Sequence, residues 1–93
     1  MSVYAVNKVC RRLVHEPELR AALAASLESA EAALRAAQPP LSDEEIGALL
    51  AGDVGTLSLA GCNHFLLHQI GRFGLFGLDL KEEAARIRAA HRS

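Results

Sequence analysis

Residues 61–78 read G-C-N-H-F-L-L-H-Q-I-G-R-F-G-L-F-G-L and hold all three phenylalanines, two of the four histidines and one of the two cysteines of a 93-residue chain. Asn63 has the short oxygen-bearing side chain that accepts an orphan backbone N–H at a helix start. Gly74 is the residue type that closes a helix in the left-handed conformation at least cost. The pattern therefore predicts a helix from about His64 to Phe73, ended by Gly74. Phe65, Leu66, Leu67, Ile70 and Phe73 make most of its surface apolar, whereas His64, His68 and Arg72 recur every four positions as one narrow polar stripe. A helix this apolar is buried on most sides. With Leu75 and Phe76 added, there are more bulky apolar groups than one short helix and its exit loop turn inward in a small domain. The surplus is expected to form an exposed patch for a protein partner or a ligand.

Outward from this stretch the signals remain helical. Asp53 caps a short helix through about Ala60, with Val54 and Leu57 inward and Gly61 as its stop. Ser42-Asp43-Glu44-Glu45 fits a capping box, Ser42 as cap and Glu45 reaching back, with Leu41 and Ile46 at the staple positions. That helix carries Ile46, Leu49 and Leu50 inward and stops near Gly52. Pro39-Pro40 ends an alanine-rich helix of roughly Pro17 to Ala37, whose seam is Leu19, Leu23, Leu27, Ala30 and Leu34, with Ser26 and Ser29 marking a bend. Pro17 suits the first helical turn, and Glu16 before it is pushed out of the α region. Val6, Val9, Cys10, Leu13 and Val14 share one face of a helix from about Val3 to His15. Lys8, Arg11, Arg12 and His15 lie mostly elsewhere on it, as a solvated face or else a docking or anion-binding one. At the other end, Asp79-Leu80-Lys81-Glu82 opens a solvated helix to about Ala90, with Ile87 as its main anchor. No segment alternates with period two. The expectation is an all-α fold, a compact single domain of five to seven short helices over residues 1–93.

The net charge of −1, with no long run of one sign, excludes a general nucleic-acid binder, which shows a basic patch and a high pI. Cys10 and Cys62 are too few and too isolated for a disulfide framework or a zinc site and read as thiols in a reducing compartment. Asn7, Lys8, Arg11 and Arg12 interrupt the first apolar residues, unlike a signal peptide. No window approaches the ~18 uninterrupted apolar residues of a spanning helix. A soluble cytoplasmic protein with no membrane or nucleic-acid partner is expected.

The sequence carries no catalytic set. His64 and His68 stand at i, i+4, a spacing open to two metal ligands, but residues 65–67 are Phe-Leu-Leu rather than part of an H-E-x-x-H, and Asp79 is the nearest following carboxylate. Surface or interface histidines are the expectation, and no metal is assigned. Cys62 lies two residues from His64 near a helix start, a setting that lowers a thiol pKa; a buried, small apolar cysteine is the alternative expected here. Gly71, Gly74 and Gly77 follow no strand and do not form a phosphate loop.

Three stretches in order carry a resemblance: Y-A-V-N-K-V (Tyr4 to Val9), L-S-D-E-E-I-G-A-L-L-A-G-D (Leu41 to Asp53) and A-G-C-N-H-F-L-L (Ala60 to Leu67). Over roughly residues 3–78 the chain resembles the small, alpha subunit of protocatechuate 4,5-dioxygenase, a class III extradiol ring-opening dioxygenase. The resemblance implies a small helical domain that covers the active-site mouth of a large beta subunit and carries no cofactor itself. Fe(II) is expected in that large subunit, held by two histidines and a glutamate. Asn63, His64, Phe65 and the aromatic region Phe73 to Phe76 match the covering segment. His68 and Arg72 complete the expected lid or partner interface, within reach of an anionic group on a partner or of an aromatic substrate. The partner is then the large subunit or a second copy in a homo-oligomer. A stand-alone helical interaction or regulatory module is the alternative. A third reading, a peptide precursor cleaved near Ala60-Gly61-Cys62, conflicts with the helical patterning that follows Gly61.

Overall fold

Apolar residues at helical spacing organise seven α-helices among the described residues, 3–92, of the computed structural model. Met1, Ser2 and Ser93, which fall within the expected 1–93 domain, lie outside the described residues. The helices are α1 (Val3–His15), α2 (Pro17–Ala25), α3 (Leu27–Arg35), α4 (Asp43–Leu50), α5 (Val54–Leu59), α6 (His64–Arg72) and α7 (Leu80–Arg92), with a short 3-10 turn at Leu75–Gly77. The architecture is all-α, as the periodicity implies. α6 packs against both α1 and α7, and α7 in turn packs on α5. Leu67, Ile70, Leu75 and Leu78 join one core with Val6, Leu13, Leu34, Leu49 and Leu57. No helix among the described residues is long and apolar enough to cross a membrane.

The expected helix from Pro17 to Ala37 is two helices. Ser26 stands in extended geometry, φ −165° and ψ 166°, and its hydroxyl accepts the Ser29 N–H at 3.0 Å to start α3. Ser29 in turn donates to the Ala22 carbonyl at 2.7 Å, across the break. Serines offer the backbone these local alternatives, and two of them convert the expected bend into a break. Leu27 is turned out of the seam as a result and is 70% exposed. Val14 likewise drifts off the apolar face of α1 and is exposed.

The capping box forms as read. Ser42 Oγ accepts the Glu45 N–H at 3.1 Å, and Glu45 Oε1 accepts the Ser42 N–H at 2.7 Å. Ser42→Ala is expected to lower stability by about 0.5–2 kcal/mol, since it orphans the Glu45 N–H. An unchanged denaturation midpoint would show that this cap contributes nothing. The box also draws Glu45 fully into the core, where Oε2 has no hydrogen-bond partner.

α7 leaves most of its surface in water, and its Ile87 is partly buried against the core. Asp79 caps the helix by accepting the Glu82 N–H at 2.7 Å, but Glu82 reaches forward to Arg86 rather than back. Its buried residue is Glu83. Small residues set how closely the helix docks. A side chain on Gly55 would meet Ala90 Cβ at 2.9 Å, and one on Gly71 would meet the Asp79 carbonyl at 2.9 Å. Both glycines are there because helix backbones approach closely. Arg86 adds hydrogen bonds to the carbonyls of Ala51 and Gly52 at the end of α4.

Candidate functional site

On α1, Tyr4, Asn7, Lys8 and Arg11 follow i, i+3, i+4 and i+7 and so share one face. The first turn of α6 comes against that face and contributes Asn63 and Leu66. Together these six residues line a groove of about 150 Å³. The junction is pinned by Asn7, whose Oδ1 accepts the Asn63 N–H at 3.0 Å. Asn63 Oδ1 accepts the Leu66 N–H at 3.2 Å, the expected N-cap. The basic face of α1 thus divides. Arg12 is committed to Glu16 through two hydrogen bonds of 2.7 and 2.9 Å, which raise its own pKa and lower that of Glu16. Lys8 and Arg11 face the groove.

The remaining sequence-selected residues are spread along α6 rather than gathered at one point. His64, His68 and Arg72 are all exposed, and each has an intramolecular partner. His64 Nε2 meets Ser58 Oγ at 2.5 Å. His68 Nδ1 stands 3.7 Å from Glu83 Oε2. Arg72 donates to Gln69 Oε1 at 3.2 Å and lies over the Phe73 ring. Arg20 also stacks on Phe73, 4.5 Å from its centroid. Phe73 and Phe76 are half-buried and pack against the core, whereas Phe65 is 73% exposed. Phe76 adopts φ +55°, a conformation uncommon outside glycine. Its carbonyl lies where a side chain on Gly52 would collide, at 2.9 Å.

Sequence reasoning missed two members of a cluster at the α5–α6–α7 junction. Ser58, nearly buried, sits between His64 and His91, whose Nε2 lies 2.7 Å from its Oγ. The rings are 5.7 Å apart. A hydroxyl beside an imidazole has the geometry of an activated nucleophile. Among the described residues, however, no side chain hydrogen-bonds the second nitrogen of either ring to orient it. Position 58 is helical and near-buried, so the cluster ties three helices. A serine 33 residues before a histidine gives no local signal, and only the packing of α7 on α5 brings the two together.

The thiols are buried. Burial pushes Cys10 up to about 12, with Cys62 adding to the rise. Cys62 is raised too, by burial and then by the Glu45 carboxylate. A raised thiol pKa is the opposite of what an activated nucleophile needs. No three His, Cys, Asp or Glu side chains converge on a metal position among the described residues; His64 and His68 turn to different partners. In comparisons with known proteins, no family model, no curated protein and no solved structure matches this chain.

Proposed function

We propose that this chain is a non-catalytic small subunit, the helical lid over the Fe(II) site of a large extradiol dioxygenase subunit. The observation that carries the reading is the meeting of two of the three stretches that resemble the alpha subunit. Tyr4–Val9 and Ala60–Leu67 are far apart in sequence, yet they meet through α1 and the start of α6 and are joined by the Asn7–Asn63 hydrogen bond. At that junction Tyr4 and Phe65 are 65% and 73% exposed. Two large aromatics left in water on neighbouring elements suit burial against a partner, since aromatic anchors dominate many interfaces. The iron and its ligands belong to the large subunit, and this chain supplies shape and contact.

In this reading the isolated chain binds no Fe(II) and opens no catechol ring. Co-expressed with an extradiol-type large subunit, the chain is expected to sediment as a complex burying more than about 1,000 Å². Phe65→Ala is expected to weaken that complex by about 2 kcal/mol or more and to leave the circular dichroism unchanged, because the ring is outside the core. Ring cleavage by the chain alone, or failure to associate with such a subunit, would overturn the assignment.

A further inference from the structure

The groove between α1 and α6 has a chemical bias that the lid reading does not require. Its two amide oxygens are already used: Asn7 Oδ1 accepts from the Asn63 backbone, and Asn63 Oδ1 accepts from the Leu66 backbone. With each oxygen turned to a backbone N–H, each asparagine also carries an NH₂ group as a donor pair. Lys8 and Arg11 add donors and positive charge one helical turn apart, and among the described residues neither has a carboxylate within ion-pair distance. The other basic residue of that turn, Arg12, is neutralised by Glu16. Leu66 and the exposed ring of Tyr4 supply apolar walls.

A concave site with two cations outside any ion pair, two amide NH₂ groups and apolar walls suits an anion with an apolar body. We propose that the groove is a binding site for a carboxylate borne on a small apolar group, with Arg11 and Lys8 holding the two oxygens and Asn7 and Asn63 donating beside them. Arg11 offers the planar fork that matches a carboxylate, and Lys8 acts as a point charge. A volume of about 150 Å³ admits a single small acid or one acidic side chain. The carboxylate comes either from a free small acid or from an acidic residue of a protein. Neither source needs the large subunit, so this inference and the lid assignment fail separately.

The test is an amide NMR titration of the full chain with benzoate, with acetylated glutamate amide as the side-chain probe, and with sulfate as comparator. Saturable shifts are expected at Asn7, Lys8, Arg11, Asn63 and Leu66 with one or both carboxylates. Stronger binding of benzoate identifies a free acid as the source, and stronger binding of the glutamate probe identifies a protein side chain. The double variant Lys8→Gln, Arg11→Gln is expected to lower the affinity about tenfold or more, since charged partners carry the strong hydrogen bonds. Lys81→Gln, on α7, leaves it unchanged. The helical spectrum of each variant is compared with the parent, since these positions are on the surface. No saturable shift with either carboxylate overturns the proposal. So does sulfate binding of equal strength at the same residues, or retention of binding in the double variant.

Discussion

Leu67→Ala is expected to lower the unfolding free energy by about 2–5 kcal/mol. Leu67 lies midway along α6 with none of its surface in water, and it belongs to the same core as Leu13, Leu34, Leu49, Leu57 and Ile70. Truncation there removes transfer free energy and leaves a cavity that the helices packed on α6 close only in part. Domains are stable by roughly 5–15 kcal/mol in total, so loss of this one isopropyl group accounts for a large share. Urea denaturation reads the loss as a lower midpoint at constant slope. Leu59→Ala is the comparison: Leu59 is 60% exposed, and its loss is expected to stay within about 0.5 kcal/mol. Equal effects at 59 and 67 would mean that Leu67 is not a core residue.

The second large effect is a loss of stability in alkali. Cys10 titrates at about 12 in the folded chain, against 9.0 for an unperturbed thiol, because burial disfavours its thiolate. Below pH 9 both folded and unfolded chains hold the proton, and the thiol's contribution is fully present. Between pH 9 and 12 the unfolded chain releases it while the folded chain does not, so stability falls. Over that window the loss from this one group approaches about 4 kcal/mol, at 1.36 kcal/mol for each pH unit. Cys62 shifts in the same direction and adds to the loss. Urea midpoints taken from pH 8 to 11 on the parent and on Cys10→Ala read the contribution of Cys10 together with its coupling to Cys62. The parent is expected to lose stability more steeply. Parallel curves would show that Cys10 is not held as a buried neutral thiol.

The fold was legible wherever the deciding forces were local. Ser42 with Glu45, Asp53, Asn63 and Gly74 announce their helix ends by side-chain chemistry within a few residues, and each stands where the pattern put it. Ser26 was legible as a disturbance but not as a break, since its hydrogen bond to Ser29 competes closely with a continued helix. The close approach of α7 was not legible, because it depends on what is missing. Gly55 and Gly71 have no side chain to register in a hydrophobic pattern, yet they let backbones approach where Ile87 alone gave a poor reason to pack. Glu83 is buried there for the same reason. At the groove, the basic residues of α1 were visible, but not that Arg12 is neutralised and Lys8 and Arg11 are not. That division follows from Glu16 lying one turn beyond Arg12, and from Asn7 meeting the Asn63 backbone across 56 residues of chain.

Ser58 carries one hydroxyl proton and touches two imidazoles. When both rings are neutral, that proton goes to only one of them, whose Nε2 accepts and whose own proton sits on Nδ1. The other ring must be the opposite tautomer, with Nε2–H donated to the serine oxygen. His64 and His91 are therefore chemically unlike although they touch the same atom. To reverse the direction of the hydrogen bonds, Ser58 must rotate and both rings must move a proton between their nitrogens together. The ends of α6 and α7 thus share a single two-state arrangement of protons, centred on a hydroxyl of α5.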